Sequence, residues 1–122
     1  TLYQVAYEHV MTNIGLIEPG MSFTDMTRIA HRLPEEYRAL RYGVLAHGVG
    51  LCDEYPCVRY PEDVAAHGYG GSFEPGMTLC VEAYVGAVGG REGIKLEEQV
   101  LVTETGAVPL SQYRYEDDLL DV

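Results

Sequence analysis

The sequence predicts an α+β domain, with helices on one face of a curved antiparallel or mixed sheet. Three observations predict it. Helical periodicity fills the first part of the chain, strand-like apolar runs fill the last part, and glycine and proline punctuate the stretch between. Helices followed by strands, rather than alternating with them, argue for segregated layers and against a wound parallel sheet. With 122 residues and 47% apolar content, the chain is one domain or a piece of one, able to bury a single core. No internal repeat or linker divides it.

The elements follow in order. Val5, Val10, Ile14 and Ile17 recur at helical spacing, with Tyr3 and Tyr7 adding bulk, and predict a helix from Leu2 to about Ile17. Glu18-Pro19-Gly20 ends it as a turn. Ser22 with Asp25 three residues on resembles a capping box and opens a second helix, whose inner face is Met26, Ile29, Ala30 and Leu33. Pro34 ends or kinks that helix, and Pro34-Glu35-Glu36-Tyr37 can begin a further short helical turn. Tyr42 to Ala46 reads as a short strand. Residues 55–76, with Pro56, Pro61, Gly68, Gly70, Gly71 and Pro75, read as a long loop of the kind that covers a site. Met77–Val85 and Ile94–Thr103 are strands joined across Gly86, Gly89 and Gly90, and Val108–Leu110 adds a short last strand.

Charge excludes some functions. At −11 and without a cluster of Lys or Arg, the chain has no basic face for nucleic acid. No apolar run reaches the length of a membrane span, and the N-terminus lacks the shape of a signal peptide. The tail Glu116-Asp117-Asp118-Leu119-Leu120-Asp121 reads as a solvated end. Cys52, Cys57 and Cys80 are odd in number and lack zinc-ribbon spacing, so they read as reduced thiols of a cytoplasmic protein with no assigned chemistry.

The stretch Ala46-His47-Gly48-Val49-Gly50-Leu51-Cys52-Asp53-Glu54-Tyr55-Pro56 gathers an imidazole, two glycines and two adjacent carboxylates. Glu82 and Glu97 follow, each on an apolar strand-like run. One His and two Glu suit a hard-to-borderline metal ion. Each residue taken alone also has a plainer reading. A single His beside a strand is usually structural, and Arg91 or Lys95 can neutralise Glu82. Period-two counting puts Lys95, Glu97 and Gln99 on one face and Leu96, Glu98 and Val100 on the other. Counting does not say which face meets solvent.

The ordered set His47-Gly-Val-Gly, then Phe73-Glu74-Pro75-Gly76-Met77 leading to Val81-Glu82, then Gly93-Ile94-Lys95-Leu96-Glu97-Glu98-Gln99-Val100-Leu101-Val102-Thr103, resembles the pita-bread family. That family holds methionine aminopeptidases, Xaa-Pro peptidases, prolidases and creatinases. The resemblance implies that His47, Glu82 and Glu97 are metal ligands in a site for two divalent ions of iron, manganese, cobalt or zinc. It also implies two upstream aspartate ligands, yet only Asp25 precedes His47, in the presumed second helix. The expectation is therefore that residues 1–122 are the C-terminal part of a single pita-bread catalytic domain, with 116–122 an acidic tail. Its partner would be the N-terminal part of the same protein, and the piece alone would be inactive. A homodimer is expected of the complete protein.

Peptidases of the family carry a second histidine seven positions after the ligand, where this chain has Glu54. An ionised carboxylate accepts hydrogen bonds and cannot donate to a developing oxyanion. The run around His47 looks most like the dimethylsulfoniopropionate lyase branch of the fold. That likeness implies elimination of dimethyl sulfide to leave acrylate, with Asp53 as the base and Tyr42 and Glu54 in the substrate pocket. Tyr42, Tyr55, Tyr60 and Tyr69 are available to hold a sulfonium by cation–π attraction. The rival readings are an Xaa-Pro metallopeptidase, whose imidazole would come from His67 or from outside the chain, and a binding module without chemistry.

Overall fold

The computed structural model describes residues 1–121, and it is built from one amphipathic helix laid on an antiparallel sheet. Helix α1 spans Leu2–Leu16. It starts where Thr1 and Gln4 cap each other reciprocally: the Gln4 backbone N–H donates to the Thr1 hydroxyl at 3.2 Å, and the terminal amine donates to Gln4 Oε1 at 2.7 Å. It ends as Ile17 turns extended ahead of Pro19. Its inner stripe, Ala6, Val10 and Ile14, joins one core with Leu79, Val81, Ala83, Val85, Val100 and Val102. Each such buried aliphatic side chain contributes about 1.5–3 kcal/mol relative to exposure.

Helix α2, Phe23–Ile29, begins where the Ser22 hydroxyl accepts from the Asp25 N–H at 3.0 Å. It lies against strand β2, Cys57–Val58, and Thr27 Oγ1 donates to the Arg59 carbonyl at 2.8 Å. Gly71, at φ 146, is required beside it, because a Cβ there would strike the Phe23 ring. A single turn, α3, follows at Glu35–Arg38.

The described sheet has five strands in the order β2-β1-β3-β4-β5, every neighbouring pair antiparallel. Strand β1 is Ala46–Gly48, β3 Thr78–Val85, β4 Ile94–Thr103 and β5 Gly106–Pro109. The α+β expectation therefore holds, with the sheet antiparallel rather than mixed.

Several boundaries differ from the sequence reading. The strand expected at 42–46 lies at Ala46–Gly48, because the ladder closes only where His47 meets Cys57 on one side and Cys80 on the other. The long loop at 55–76 contains β2 and a helical turn, α4, at Val64–His67. Two residues are too short to show any alternation, so β2 is invisible to periodicity. The last strand ends at Pro109, one residue short of the reading.

The acidic tail is not simply solvated. Its turn α5, Asp117–Leu120, returns to the start of α1: Gln4 Nε2 donates to the Leu120 carbonyl at 2.9 Å, and the Glu116 N–H donates to the Tyr3 hydroxyl at 2.9 Å. Val122, the end of that expected tail, lies outside the described residues.

Candidate metal centre

Alternation along β3 divides its side chains cleanly. Leu79, Val81, Ala83 and Val85 enter the core, while Cys80 and Glu82 project from the opposite face. Registry then fixes their neighbours: His47 lies opposite Cys80, and Glu97 lies opposite Glu82. This resolves the ambiguity left by counting. Glu97 shares the polar face, whereas Glu98 turns to the reverse side, 6% exposed, and accepts from the Tyr115 hydroxyl at 3.0 Å.

The three expected ligands come together. His47 Nε2 is 3.1 Å from Glu82 Oε1 and 3.5 Å from Glu97 Oε1. The other ring nitrogen, Nδ1, sits 3.0 Å from the Gly48 carbonyl. A proton on Nδ1 would serve that carbonyl and leave the Nε2 lone pair aimed at the carboxylates, the tautomer a metal-bound imidazole needs.

Glu82 is fully buried, and neither of its oxygens completes a hydrogen bond. Lys95 supplies a charge contact instead, with Nζ at 2.8 Å from Glu82 Oε2 and 3.5 Å from Glu97 Oε2. The same ammonium lies 4.4 Å from the centroid of the Tyr42 ring. A buried carboxylate without hydrogen bonds is costly unless a cation faces it. The donor set, one imidazole nitrogen and two carboxylates of which one is fully buried, fits a divalent ion in the place that the Lys95 ammonium now faces.

The electrostatics agree. Burial pushes Glu82 above the usual carboxylate range, helped by Glu97 and opposed by Lys95 and His47. Burial also raises Glu97, but the Cys80 thiol and Lys95 outweigh it and hold that carboxyl below its ordinary value. Cys80 is pushed up to about 12, first by burial and then by Glu97, so its thiol keeps its proton beside the carboxylates. The Glu82 charge is the main cause that raises Tyr42.

The other expected site residues sit farther from this group in their interactions. Asp53 occupies an exposed turn, its N–H donating to the Gly50 carbonyl at 3.2 Å, and its φ of 57 is left-handed. Among the described residues no side chain bonds or pairs with it. Glu54 is exposed and lies close enough for its charge to raise Tyr42. Gly48 makes this loop possible, because a Cβ there would collide with the Tyr55 carbonyl.

Of the aromatic residues, Tyr60 cannot form a wall of the site. It is 3% exposed, its hydroxyl lies 3.3 Å from His9 Nε2, and Arg41 sits over its ring. Tyr55 and Tyr69 stack on each other at 5.6 Å on the exposed side. His67 ends α4 in an exposed position.

Sequence reasoning missed Cys80. Its ligand atom and those of His47 and Glu97 all lie within 4.8 Å of one another. The signal was available: Cys80 stands two residues before Glu82 in a strand and so shares its face.

The family model described as metallopeptidase family M24 matches residues 1–104. Among curated proteins, the chain is 50% identical over 117 residues to a dimethylsulfoniopropionate lyase, DddP, of Roseovarius nubinhibens, covering 96% of this chain and 26% of that protein. It is 44% identical to the protein of the same name in Roseobacter denitrificans, covering 98% of this chain and 27% of the relative. The chain thus spans about a quarter of the length of the curated lyases that it matches. Among solved structures, the prolidase from Pyrococcus furiosus superposes with a TM-score of 0.74 at 25% identity, over 93% of this chain and 32% of that one.

Proposed function

This chain belongs to metallopeptidase family M24, and from that premise we propose that it supplies part of the active site of a metal-dependent lyase acting on dimethylsulfoniopropionate. The observation that carries the reading is the His47–Glu82–Glu97 cluster facing an ammonium held on Tyr42. The likeness to the two lyases, at 50% and 44% identity, supports the substrate. Residues 1–122 are a part of one larger catalytic domain, in keeping with the quarter of each lyase that they cover. The reading also takes the complete protein to be a cytoplasmic homodimer; the three free thiols are in keeping with a reducing compartment.

In this reading His47, Glu82 and Glu97 hold the divalent ion, iron, manganese, cobalt or zinc, in a site that takes two when complete. A metal bound by these residues would supply Lewis acidity for a substrate carboxylate and so make the neighbouring C–H more acidic. The Tyr42 face already binds a cation, the Lys95 ammonium, and offers the same attraction to a sulfonium. Glu54 adds negative charge beside it.

Asp53 is the base. It takes the proton from the carbon next to the carboxylate, and those electrons form the new C=C bond. The C–S bond breaks with its pair on sulfur, so a neutral dimethyl sulfide leaves and acrylate remains. The exposed turn lets Asp53 pass its proton to water.

The test uses the complete catalytic polypeptide, loaded with iron or manganese and mixed with dimethylsulfoniopropionate. Headspace gas chromatography should detect dimethyl sulfide from the unaltered protein and none from Asp53→Ala. Gas from both would remove Asp53 from the role of base. No gas from either, with metal bound and Xaa-Pro dipeptides hydrolysed, would replace the lyase by a peptidase of the prolidase kind. Metal bound without either activity would leave a binding module.

A further inference from the structure

We propose that Cys80 is a further donor of the metal centre, joining His47 and Glu97 around one ion of the site and biasing it towards a borderline-soft divalent ion such as Zn2+ or Co2+. The proposal rests on the metal reading of His47, Glu82 and Glu97 and goes beyond it. Two separate observations support it. The Cys80 sulfur lies within 4.8 Å of the ligand atoms of His47 and Glu97, close enough for one ion to touch all three. The second is that Glu82 is fully buried on the same face, two residues along β3, with Oε1 3.1 Å from His47 Nε2 and Oε2 2.8 Å from Lys95 Nζ, a cation position that an ion can take over.

The four side chains come from three adjacent strands whose pairing sets their positions. His47 on β1 and Cys80 on β3 are register partners, as are Glu82 on β3 and Glu97 on β4, so the donors form two rows staggered by one strand on one face. One nitrogen, one sulfur and one carboxylate oxygen, from His47, Cys80 and Glu97, suit an ion of intermediate softness. An open groove of about 540 Å³, lined by Cys80, Glu97, Gln99 and Tyr113 among others, gives an ion or a small reagent access to the sulfur. Its presence follows from β5, which pairs only with Val100–Thr103 and leaves the first part of β4 without a further strand.

Binding converts the thiol to a thiolate. The S–H bond breaks, the sulfur keeps the pair and donates it to the ion, and the proton goes to solvent. Glu82 and Glu97, which surround the thiol with negative charge, are the groups that the ion would neutralise. No oxidant or reductant takes part.

The experiment titrates the complete catalytic polypeptide with Co2+ and with Zn2+. With Co2+, a near-ultraviolet sulfur-to-cobalt charge-transfer band should grow beside the visible ligand-field bands. Cys80→Ser should abolish the charge-transfer band, keep the ligand-field bands, and weaken Zn2+ binding by roughly tenfold or more while leaving Mn2+ binding unchanged. A second measurement needs no variant. Zn2+ should slow iodoacetamide labelling of Cys80, read by peptide mapping, with the exposed Cys52 as internal control. Ligand-field bands without charge transfer, or Cys80 labelled equally fast with and without Zn2+, would overturn the proposal and leave the His47–Glu82–Glu97 reading intact. No Co2+ binding at all would overturn both.

Discussion

Glu82 and Glu97 are register partners across β3 and β4, and both reach the same imidazole nitrogen, His47 Nε2, at 3.1 and 3.5 Å. Two carboxylates converging on one imidazole concentrate negative charge that a divalent ion would neutralise. Loss of any one member should therefore weaken divalent-ion binding by at least about 10–100-fold. Titration calorimetry of His47→Ala, Glu82→Gln and Glu97→Gln would measure it, and unchanged binding in all three would remove the site. Metal at one hundred times its dissociation constant should also stabilise the native chain by about 2.7 kcal/mol, and a chelator should reverse that gain.

Lys95 holds the place of a cation between the two carboxylates. Lys95→Met should lower the stability of the metal-free chain by about 1–3 kcal/mol, because Glu82 loses its nearest charged neighbour. The same change should raise affinity for Zn2+ severalfold, since no ammonium then has to be displaced. Urea unfolding and calorimetry on one sample give both values. An affinity that stays the same or falls would make Lys95 a support of the bound state instead.

A second buried polar group lies away from the site, on α1. His9 is fully buried, with Nδ1 3.2 Å from His31 Nδ1 and Nε2 3.3 Å from the Tyr60 hydroxyl. Burial, and then His31, lowers it from 6.5 to about 4. Above pH 6.5 the ring is neutral in folded and unfolded chains, so His9 costs nothing there. As pH falls from 6.5 towards 4 only the unfolded chain takes the proton, and stability should drop by about 3 kcal/mol. His9→Gln should flatten that part of the urea-derived stability profile; the same slope in the variant would assign it elsewhere.

Asp53 combines an expected chemical role with a left-handed backbone at φ 57. Replacing it by glycine should relieve up to about 1 kcal/mol of backbone strain while removing the carboxylate. Asp53→Gly should therefore be at least as stable as the unaltered chain by thermal unfolding and, within the complete protein, inactive. A destabilised Asp53→Gly chain would show that the turn depends on the aspartate side chain.

Much of the architecture was legible because long elements repeat their signal. Helix α1 carries its apolar residues over four turns, and β3 and β4 are long enough to declare themselves. The three candidate ligands stand out only as an ordered set, since each one taken alone has an ordinary structural reading. What stayed hidden depends on pairing. Strand β2 is two residues long, Tyr60 looks like its exposed neighbours until His9 and Arg41 enclose it, and Cys80 acquires meaning only when His47 is placed across from it. The acidic tail looked free because nothing in its composition tells of Gln4 and Tyr3 at the other end of the chain.

The sheet is a thin plate with oil on one side and candidate metal donors on the other. Val81 and Ala83, packed in one core with Val10, alternate with Cys80 and Glu82 along a single strand. A helix residue that never meets the ion therefore acts as a tuning screw. Trimming Val10 would let the strand settle towards the gap, tilt the donors on the far side, and alter metal preference from a distance. A change in the helix then becomes a route to a different metal preference that leaves every candidate donor in place.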